Sequence, residues 1–203
     1  MSEITYRSIR ENVTDLLRQE IFSGKLEEGS PVREIPLAKR FKVSRGPIRD
    51  AILQLTQQGL LRAEANRGAR VGKVWGKEIR PLMVSMRLEL ESFALHKILE
   101  SEDRNLDSLR KNLRQFEIAC SDGDLGTVIK LDLEFHRLIL RESGVEGLEA
   151  VWLPMMGGMR MPYSRHRRLL EVHEEHNMVF AAIEAGDRHL AIAALKRNLH
   201  LSA

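Results

Sequence analysis

The stretch VSRGPIRDAI, residues 43–52, predicts the start of a helix that carries positive charge in its first two turns. Ser44 is a favoured N-cap residue, and Pro47 falls in the first turn, where proline is tolerated. Arg45 and Arg49 are four residues apart and therefore share one face of the helix. Because free amides and partial positive charge at a helix N-terminus favour a bound phosphate, we expect this end to face a polyanion.

The sequence before this stretch predicts two more short helices. Apolar residues recur at helical spacing over residues 13–21, and the glycines and proline of SGKLEEGSP, residues 23–31, then interrupt the pattern. Pro36 is expected to open the second helix, which ends in a turn at residues 42–43. The helix that begins at Ser44 is expected to stop at Gly59.

Residues 60–74, LLRAEANRGARVGKV, predict two short strands around a turn at Asn66, Arg67 and Gly68. Helix, turn, helix and hairpin in this order are typical of a winged helix-turn-helix, whose second helix enters the major groove of DNA. Arginine presents a planar fork that can hold guanine O6 and N7 together, which fits Arg45 and Arg49. The alternative is a basic, solvated helix face in a domain that contacts only protein. On the first interpretation, four wing cations face the DNA backbone: Arg62, Arg67, Arg70 and Lys73.

Positive charge is concentrated in the first part of the chain. Residues 1–75 hold 14 Lys and Arg against 9 Asp and Glu, whereas the remainder holds 18 against 20. This asymmetry indicates a first part that binds a polyanion and a second part with another task. We therefore expect a winged helix-turn-helix domain over residues 5–75 and an all-helical domain over residues 78–203.

The composition predicts a folded cytoplasmic protein. The 203 residues are 43% apolar and 30% charged, which suffices to bury a core. Cys120 is the single cysteine, so the chain forms no internal disulfide and fits a reducing compartment; we expect it to be a small buried helix residue. No run approaches the roughly 20 apolar residues of a membrane span, and the first residues lack the apolar centre of a signal peptide.

From about Lys77 onward the sequence predicts an all-α bundle of roughly six helices with short connections. The predicted fold class is therefore mainly α, with a small β-hairpin wing in the first domain. Asp124 and Asp187 are candidate N-caps, and Gly186 is a candidate helix stop. The first helix of the bundle is expected to bury one apolar stripe: Ile79, Leu82, Met83, Met86, Leu90 and Phe93.

Polar side chains interrupt the apolar stripes of three later helices. Asp132 and His136 are one helical turn apart, and His176 lies between apolar residues of a second helix. In the last helix Asn198 continues the inward stripe, whereas His200 falls about 200° away at 100° per residue. Asn198 is therefore favoured over His200 as the inward group.

These inward groups have the chemistry of a metal or ligand site. A buried carboxylate is unfavourable unless it pairs or binds a metal, and imidazole nitrogen with carboxylate oxygen suits Zn, Ni or Mn. The alternative is that His136 and His176 are core histidines hydrogen-bonded to Asp132. The residues alone leave both interpretations open.

The stretch from Leu17 to Val71 resembles, almost end to end, the winged helix-turn-helix of GntR-family bacterial transcription regulators. The resemblance implies a homodimer that binds a short palindromic operator in double-stranded DNA. Gly46 replaces a frequent threonine, so one phosphate-contacting hydroxyl is missing. The resemblance places five residues against DNA: Ser44, Arg45, Gly46, Arg49 and Gly68. Arg67 of the wing is also expected to bind DNA.

LDLEFHRLIL, residues 131–140, and EEHNMVFAAIEAGD, residues 174–187, resemble the helical effector-binding domain called FCD, of the FadR branch of that family. The resemblance covers residues 78 to about 201. It implies that an aspartate and three histidines hold a divalent metal beneath a small carboxylate effector. Asp132, His136 and His176 match three of those positions. The fourth is Asn198, whose amide oxygen is a weaker ligand than a histidine nitrogen.

Two further residues are expected to contact the effector. Arg87 matches a frequent arginine of the first FCD helix and would hold a carboxylate through a bidentate pair. A surface salt bridge between Arg87 and Glu91, at i+4, is the alternative. His173, one turn before His176, is expected to line the pocket. His200 would replace Asn198 only if the last helix rotated or ended early.

The expected function is that of a ligand-responsive transcription regulator, a repressor without catalytic activity. One alternative is a direct metal sensor, in which the ion itself is the signal. Another is a metal-dependent enzyme built on the Asp and His cluster. No recognisable motif places a nucleophile or a general base at this cluster. Glu134 lies on the opposite side of its helix from Asp132 and His136.

Overall fold

The computed structural model describes residues 8–64, 68–73, 76, 78–157 and 168–201. The chain divides into two compact units, one of Met1–Val74 with Met156–Arg160 and the other of Trp75–Met155 with Met161–Ala203. Within the described ranges, no helix combines the length and the apolar character that crossing a bilayer requires.

The first unit contains three helices and a three-stranded antiparallel sheet. The strands lie in the order β1-β3-β2, so the hairpin of β2 and β3 is extended by a short strand that the sequence analysis did not predict. This extra strand is only two residues long, which leaves too little alternation to recognise. The elements are α1 Ile9–Phe22, β1 Pro31–Val32, α2 Glu34–Phe41, α3 Arg45–Gln57, β2 Leu61–Glu64 and β3 Gly68–Val71.

Local capping and turn signals fix the helices of this unit. α1 begins with a capping box between Ser8 and Glu11, which satisfies two helix-end amides. α2 begins at Glu34, two residues earlier than predicted, because Pro36 still lies in the first turn and its missing N–H is not needed there. Lys42 adopts the left-handed conformation at φ 55° and makes the predicted turn into α3. α3 ends at Gln57, just before Gly59.

Gly68 starts β3 in a conformation that excludes other residues. Its φ is +88°, and a Cβ there would lie 3.1 Å from the carbonyl oxygen of Val32. Glycine is therefore required where the wing strand passes its neighbour. Asn66 and Arg67, the rest of the predicted turn, lie outside the described residues.

Six helices follow in the described ranges, in agreement with the predicted bundle. α5 packs against α6 and α8, α8 packs against α9, and α4 packs against α9 and α6. The predicted fold class, mainly α with a small antiparallel sheet in the first unit, is confirmed. The helices are α4 Arg80–Glu100, α5 Asp107–Asp122, α6 Leu125–Glu142, α7 Leu148–Gly157, α8 Leu169–Glu184 and α9 Arg188–Leu201.

Two predicted caps position the helices that carry the polar groups. Asp124 accepts a hydrogen bond from the amide of Thr127 at 3.2 Å and so starts α6. Gly186, at φ +72°, ends α8, and Asp187 accepts a hydrogen bond from the amide of Leu190 at 2.9 Å to start α9. These signals set where the inward residues of α6, α8 and α9 fall.

The prediction for α4 was wrong about which face is buried. The exposed fractions of Ile79, Leu82, Met86 and Phe93 are 41, 56, 41 and 45%. The pattern misled because a charged pair on the other face was counted as outward, whereas its members neutralise each other in the interior. The buried face is Met83, Val84, Arg87, Glu91, Ala94, Leu95 and Ile98.

Cys120 is buried in α5, as expected. Burial raises the pKa of its thiol to about 11, so very little thiolate forms near pH 8. We expect iodoacetamide to alkylate Cys120 at least about 100-fold more slowly in the folded chain than in denaturant. Peptide mass spectrometry over a time course measures both rates, and equal rates would contradict the buried placement.

Candidate functional site

α6 and α8 bring together the three groups that the sequence placed on apolar stripes. Asp132 and His136 come from successive turns of α6, and His176 comes from the middle of α8. Their exposed fractions are 0, 1 and 0%. One nitrogen or oxygen atom from each residue lies within 4.8 Å of the corresponding atoms of the others. The cluster is therefore a closed, polar centre inside the second unit.

The proton of His136 is fixed by Glu91 of α4. Nδ1 of His136 lies 2.7 Å from Oε2 of Glu91, and a carboxylate can only accept, so Nδ1 carries the proton. Burial, followed by the charge of Arg87, lowers the pKa of His136. The ring is therefore neutral near pH 7, and Nε2 keeps an unshared electron pair.

His176 is fixed in the same way by a backbone carbonyl. Its Nδ1 lies 2.7 Å from the carbonyl oxygen of Val172, one turn earlier, and therefore donates to it. Its Nε2 lies 2.8 Å from Oδ1 of Asp132, in an ion-pair contact that lacks the alignment of a hydrogen bond. The edge of the ring that does not contact Val172 therefore faces the carboxylate of Asp132, as it would if both were ligands of one ion.

Asp132 completes a donor set that suits a divalent cation. Among the residues that the structure describes, neither of its carboxylate oxygens accepts a hydrogen bond, although both are buried. Burial would raise the pKa of Asp132, but His176 and His136 hold it below its usual range, so the group is charged. Two histidine nitrogens and one carboxylate match the ligands of Zn, Ni or Mn.

Asn198 lies beside this centre, at the far side of His176. It is fully buried on α9, and its Nδ2 lies 3.3 Å from Nδ1 of His176. Nδ1 and Nε2 are on different sides of the imidazole ring, so Asn198 and Asp132 contact opposite nitrogens. The position of Asn198 therefore fits support of the His176 ring, and its expected role as a metal ligand stays a prediction. The side chain of His200 lies outside the described residues.

Glu91 is the functional residue that the sequence analysis missed. One of its oxygens, Oε1, accepts hydrogen bonds from Nε of Arg87 at 2.6 Å and from Nε1 of Trp152 at 2.7 Å, while Oε2 accepts from His136. Burial opposes its charge, but Arg87 and His136 lower the pKa of Glu91 to about 2. The i+4 spacing from Arg87 was a usable signal for this contact, and nothing in the sequence pointed to Trp152.

Arg87 forms the expected pair with Glu91, but not at the surface. The side chains of the two residues are 2 and 0% exposed, so the interpretation as a surface salt bridge was wrong. The Nη2 atom of Arg87 is buried and has no hydrogen-bond partner in the part of the chain that the structure describes. An unsatisfied guanidinium nitrogen in the interior is suited to bind an anion.

The structure keeps His173 apart from the three-residue cluster. Its ring is half-buried and packs edge-on against Phe116 of α5, with centroids 6.1 Å apart. Phe116 also contacts His176, at 4.8 Å between centroids. His173 therefore borders the centre through Phe116, and its expected role in lining a pocket stays a prediction.

The N-terminal end of α3 presents the predicted nucleic-acid contacts at the surface. The side chains of Arg45 and Arg49 are 58 and 65% exposed. Ser44 precedes the helix, and its hydroxyl makes no capping hydrogen bond. A Cβ at Gly46 would meet nothing within 4 Å, so the glycine leaves the backbone of this turn open to a close ligand.

The cationic side chains of the wing differ in their exposure and in their contacts with other residues. Arg62 and Lys73 are exposed, as is Gly68. Arg70 instead contacts Glu64 at 2.5 Å and donates to the carbonyl oxygen of Gly29 at 2.9 Å, so it braces the hairpin. Arg67 lies outside the described residues.

Comparison with known proteins identifies the family to which this chain belongs. Residues 82–201 match the FCD domain, and residues 9–71 match the bacterial regulatory proteins of the gntR family. The chain belongs to the GntR family, in the branch that carries an FCD domain. The two matches fall on the helical bundle and on the winged helix-turn-helix, and they confirm the resemblance seen in the sequence.

Relatives of similar length carry the names of transcription regulators. A protein of Paenarthrobacter nicotinovorans named "Probable D-xylose utilization operon transcriptional repressor" is 27% identical over 200 residues, which cover 97% of this chain and 88% of that protein. The gluconate operon transcriptional repressor of Bacillus licheniformis is 29% identical over 195 residues, covering 90 and 78%. Family membership makes the chain a transcription regulator and excludes the enzyme alternative.

Solved structures share the fold. The chain of E. coli McbR/YncC superposes with a TM-score of 0.76 at 24% identity, covering 96% of this chain and 95% of that one. A putative GntR regulator from Rhodococcus has a TM-score of 0.71 at 20% identity. At these identities the likeness concerns the fold alone.

Proposed function

We propose that this GntR-family regulator is a repressor that binds a palindromic operator as a homodimer and responds to a small carboxylate effector bound over a divalent metal. The effector part rests on Asp132: its two buried oxygens lack hydrogen-bond partners in the described chain, and Oδ1 lies 2.8 Å from Nε2 of His176. A chain that needed only a stable core would gain from apolar residues there.

The DNA part of the proposal rests on the end of α3. Arg45 and Arg49 are 58 and 65% exposed in the first two turns of α3, where they would reach guanine edges in the major groove. The hydroxyl of Ser44, which makes no capping hydrogen bond, and the open backbone at Gly46 would contact a phosphate. Arg67 and Gly68 of the wing would contact the DNA beside the groove.

The homodimer is supported by the exposed apolar side chains of α4. Ile79, Leu82, Met86 and Phe93 lie on one face of this helix and are between 41 and 56% exposed in the single chain. A stripe of this kind suits contact with a second copy, and twofold symmetry would match the two halves of a palindromic operator.

In the effector site, Asp132, His136 and His176 would hold the metal, and Asn198 would complete or support the set. A bound divalent ion would supply positive charge to a carboxylate ligand and balance that of Asp132. Arg87 would donate from its buried Nη2 atom to the same effector. His173 would lie at the rim, through its contact with Phe116.

Regulation requires that the effector distinguish two states of the dimer. It must bind the DNA-competent and the incompetent arrangements with different affinities, because equal affinities shift nothing. The six groups of the effector site are at most 1% exposed, so a bound acid would be enclosed and could favour one packing of the bundle: Arg87, Glu91, Asp132, His136, His176 and Asn198.

The test begins with a duplex that the purified chain enriches from a randomised pool, here called the selected duplex. Its dissociation constant is measured by fluorescence anisotropy after chelator treatment, then with Zn, Ni or Mn, then with a panel of small carboxylic acids. A change only with metal and acid together supports the proposal. A change with metal alone supports a direct metal sensor. Unchanged affinity with acids that bind the protein would contradict both.

Glu91→Gln is expected to weaken metal binding about 10- to 100-fold. The amide nitrogen of glutamine would face Nδ1 of His136 and donate to it, so the proton of the ring would move to Nε2 and block that ligand. Competition with a chelating dye measures the affinity. Glu89→Gln, on the exposed side of α4, is the matched control. Equal affinities for both variants would show that Glu91 does not fix the tautomer.

A further inference from the structure

Glu34, the first residue of α2, contacts both arginines at the start of α3. Its Oε2 atom accepts hydrogen bonds from Nε and Nη2 of Arg45 at 3.1 and 2.7 Å. Its Oε1 atom accepts one from Nε of Arg49 at 3.3 Å. The carboxylate therefore bridges the two side chains that are expected to reach the bases.

This bridge leaves the outer edges of the guanidinium groups free. Arg45 uses its Nε and Nη2 edge on Glu34, so Nη1 and the second hydrogen of Nη2 remain available, and Arg49 keeps both Nη atoms. Guanine O6 and N7 need two parallel donors, which these outer edges supply. Glu34 and DNA can therefore hold the same arginine at once.

The charge of Glu34 acts against unselective binding. The hydrogen bond from Arg45 lowers the pKa of Glu34, so the group is ionised at neutral pH. A carboxylate 26% exposed beside two arginines repels phosphate from the surface that must approach DNA. The charge of Glu34 weakens the general attraction to phosphate, whereas its hold on the two arginines strengthens binding to a duplex that offers them base contacts.

We propose that Glu34 is a positioning residue for DNA recognition, which holds Arg45 and Arg49 as an aligned pair and raises selectivity at the expense of affinity for unselected duplexes. This inference rests on the proposed operator binding. It differs from a role in stability, because Glu34 would act on the ratio between two DNA affinities.

The experiment compares Glu34→Gln with Glu20→Gln in the full chain. Glu20 also bridges two cations of the first unit, Lys25 at 3.0 Å and Arg40 at 2.6 Å, so its replacement makes the same charge change without touching the arginines of α3. Anisotropy is recorded on the selected duplex and on a scrambled duplex of the same composition, over a range of salt concentrations.

We expect Glu34→Gln to lower the ratio of selected to scrambled affinity about tenfold, through a gain on the scrambled duplex and a loss on the selected one. Glu20→Gln should leave the ratio unchanged, and thermal unfolding of both variants should match the wild type. In a chain that already carries Arg45→Ala and Arg49→Ala, Glu34→Gln should no longer change the ratio.

Equal ratios for Glu34→Gln and Glu20→Gln would overturn the role of Glu34 while leaving operator binding intact. A change of ratio that persists without Arg45 and Arg49 would also overturn it. If the wild-type chain selects no duplex at all, the proposed function itself fails, and this inference falls with it.

Discussion

Replacing Arg45 and Arg49 together by alanine is expected to weaken binding to the selected duplex at least about 100-fold at fixed ionic strength, because each bidentate contact to guanine contributes about 1–3 kcal/mol of discrimination. Both side chains are more than half exposed and make no contribution to the core. The folded state should therefore be retained, as circular dichroism and thermal unfolding would verify. Affinity for the scrambled duplex should fall much less.

The matched control removes two positive charges elsewhere in the same unit. Arg10 belongs to α1 and Lys25 to the turn after it, and both are exposed, so Arg10→Ala with Lys25→Ala tests the effect of charge alone. We expect this variant to lose similar affinity for both duplexes through the general attraction to phosphate. If both double variants lose the same selectivity, the two arginines of α3 do not recognise bases.

Asp132→Asn is expected to weaken binding of Zn, Ni and Mn at least about 100-fold, because the amide removes the only anionic ligand of the cluster. The substitution keeps the volume of a fully buried side chain, so the bundle should stay folded. Calorimetric titration with each metal gives the affinity. In the same variant, the affinity for the selected duplex should no longer change when metal and acid are added.

Glu134→Gln is the control for this prediction, two residues further along α6. Its carboxylate pairs with Arg137 at 3.0 Å and Arg141 at 3.4 Å, away from the cluster. Metal affinity in this variant should equal that of the wild type. Retained metal affinity in Asp132→Asn would place the ion elsewhere, and absence of metal binding in the wild type would leave the histidines as core residues.

Local signals explain why the first unit could be predicted closely. The turn at Lys42, the helix start at Ser44 and the glycine at Gly68 each depend on a few neighbouring residues. Strand β1 escaped prediction because its pairing with β3 joins residues about 40 positions apart, and two residues carry no pattern. Long-range pairing of this kind is decided by the tertiary structure.

The candidate site in the helical bundle could be predicted only in part, for a physical reason. Asp132, His136 and His176 interrupt apolar stripes and were therefore visible. Arg87 was also predicted, but its burial together with Glu91 was not, because charged residues four apart on a helix usually form a solvated pair. Here the two residues are buried together, and several apolar side chains of α4 remain exposed in the single chain.

The most direct test of the account replaces single guanines of the selected duplex by 7-deazaguanine, which lacks the N7 acceptor. With the wild-type chain, we expect two pairs of symmetry-related positions, one pair for each arginine, to lose at least about tenfold in affinity. With Arg45→Ala, the loss at one of these pairs should disappear. A uniform response across all guanines, or none at any position, would contradict recognition of DNA bases by the arginines of α3.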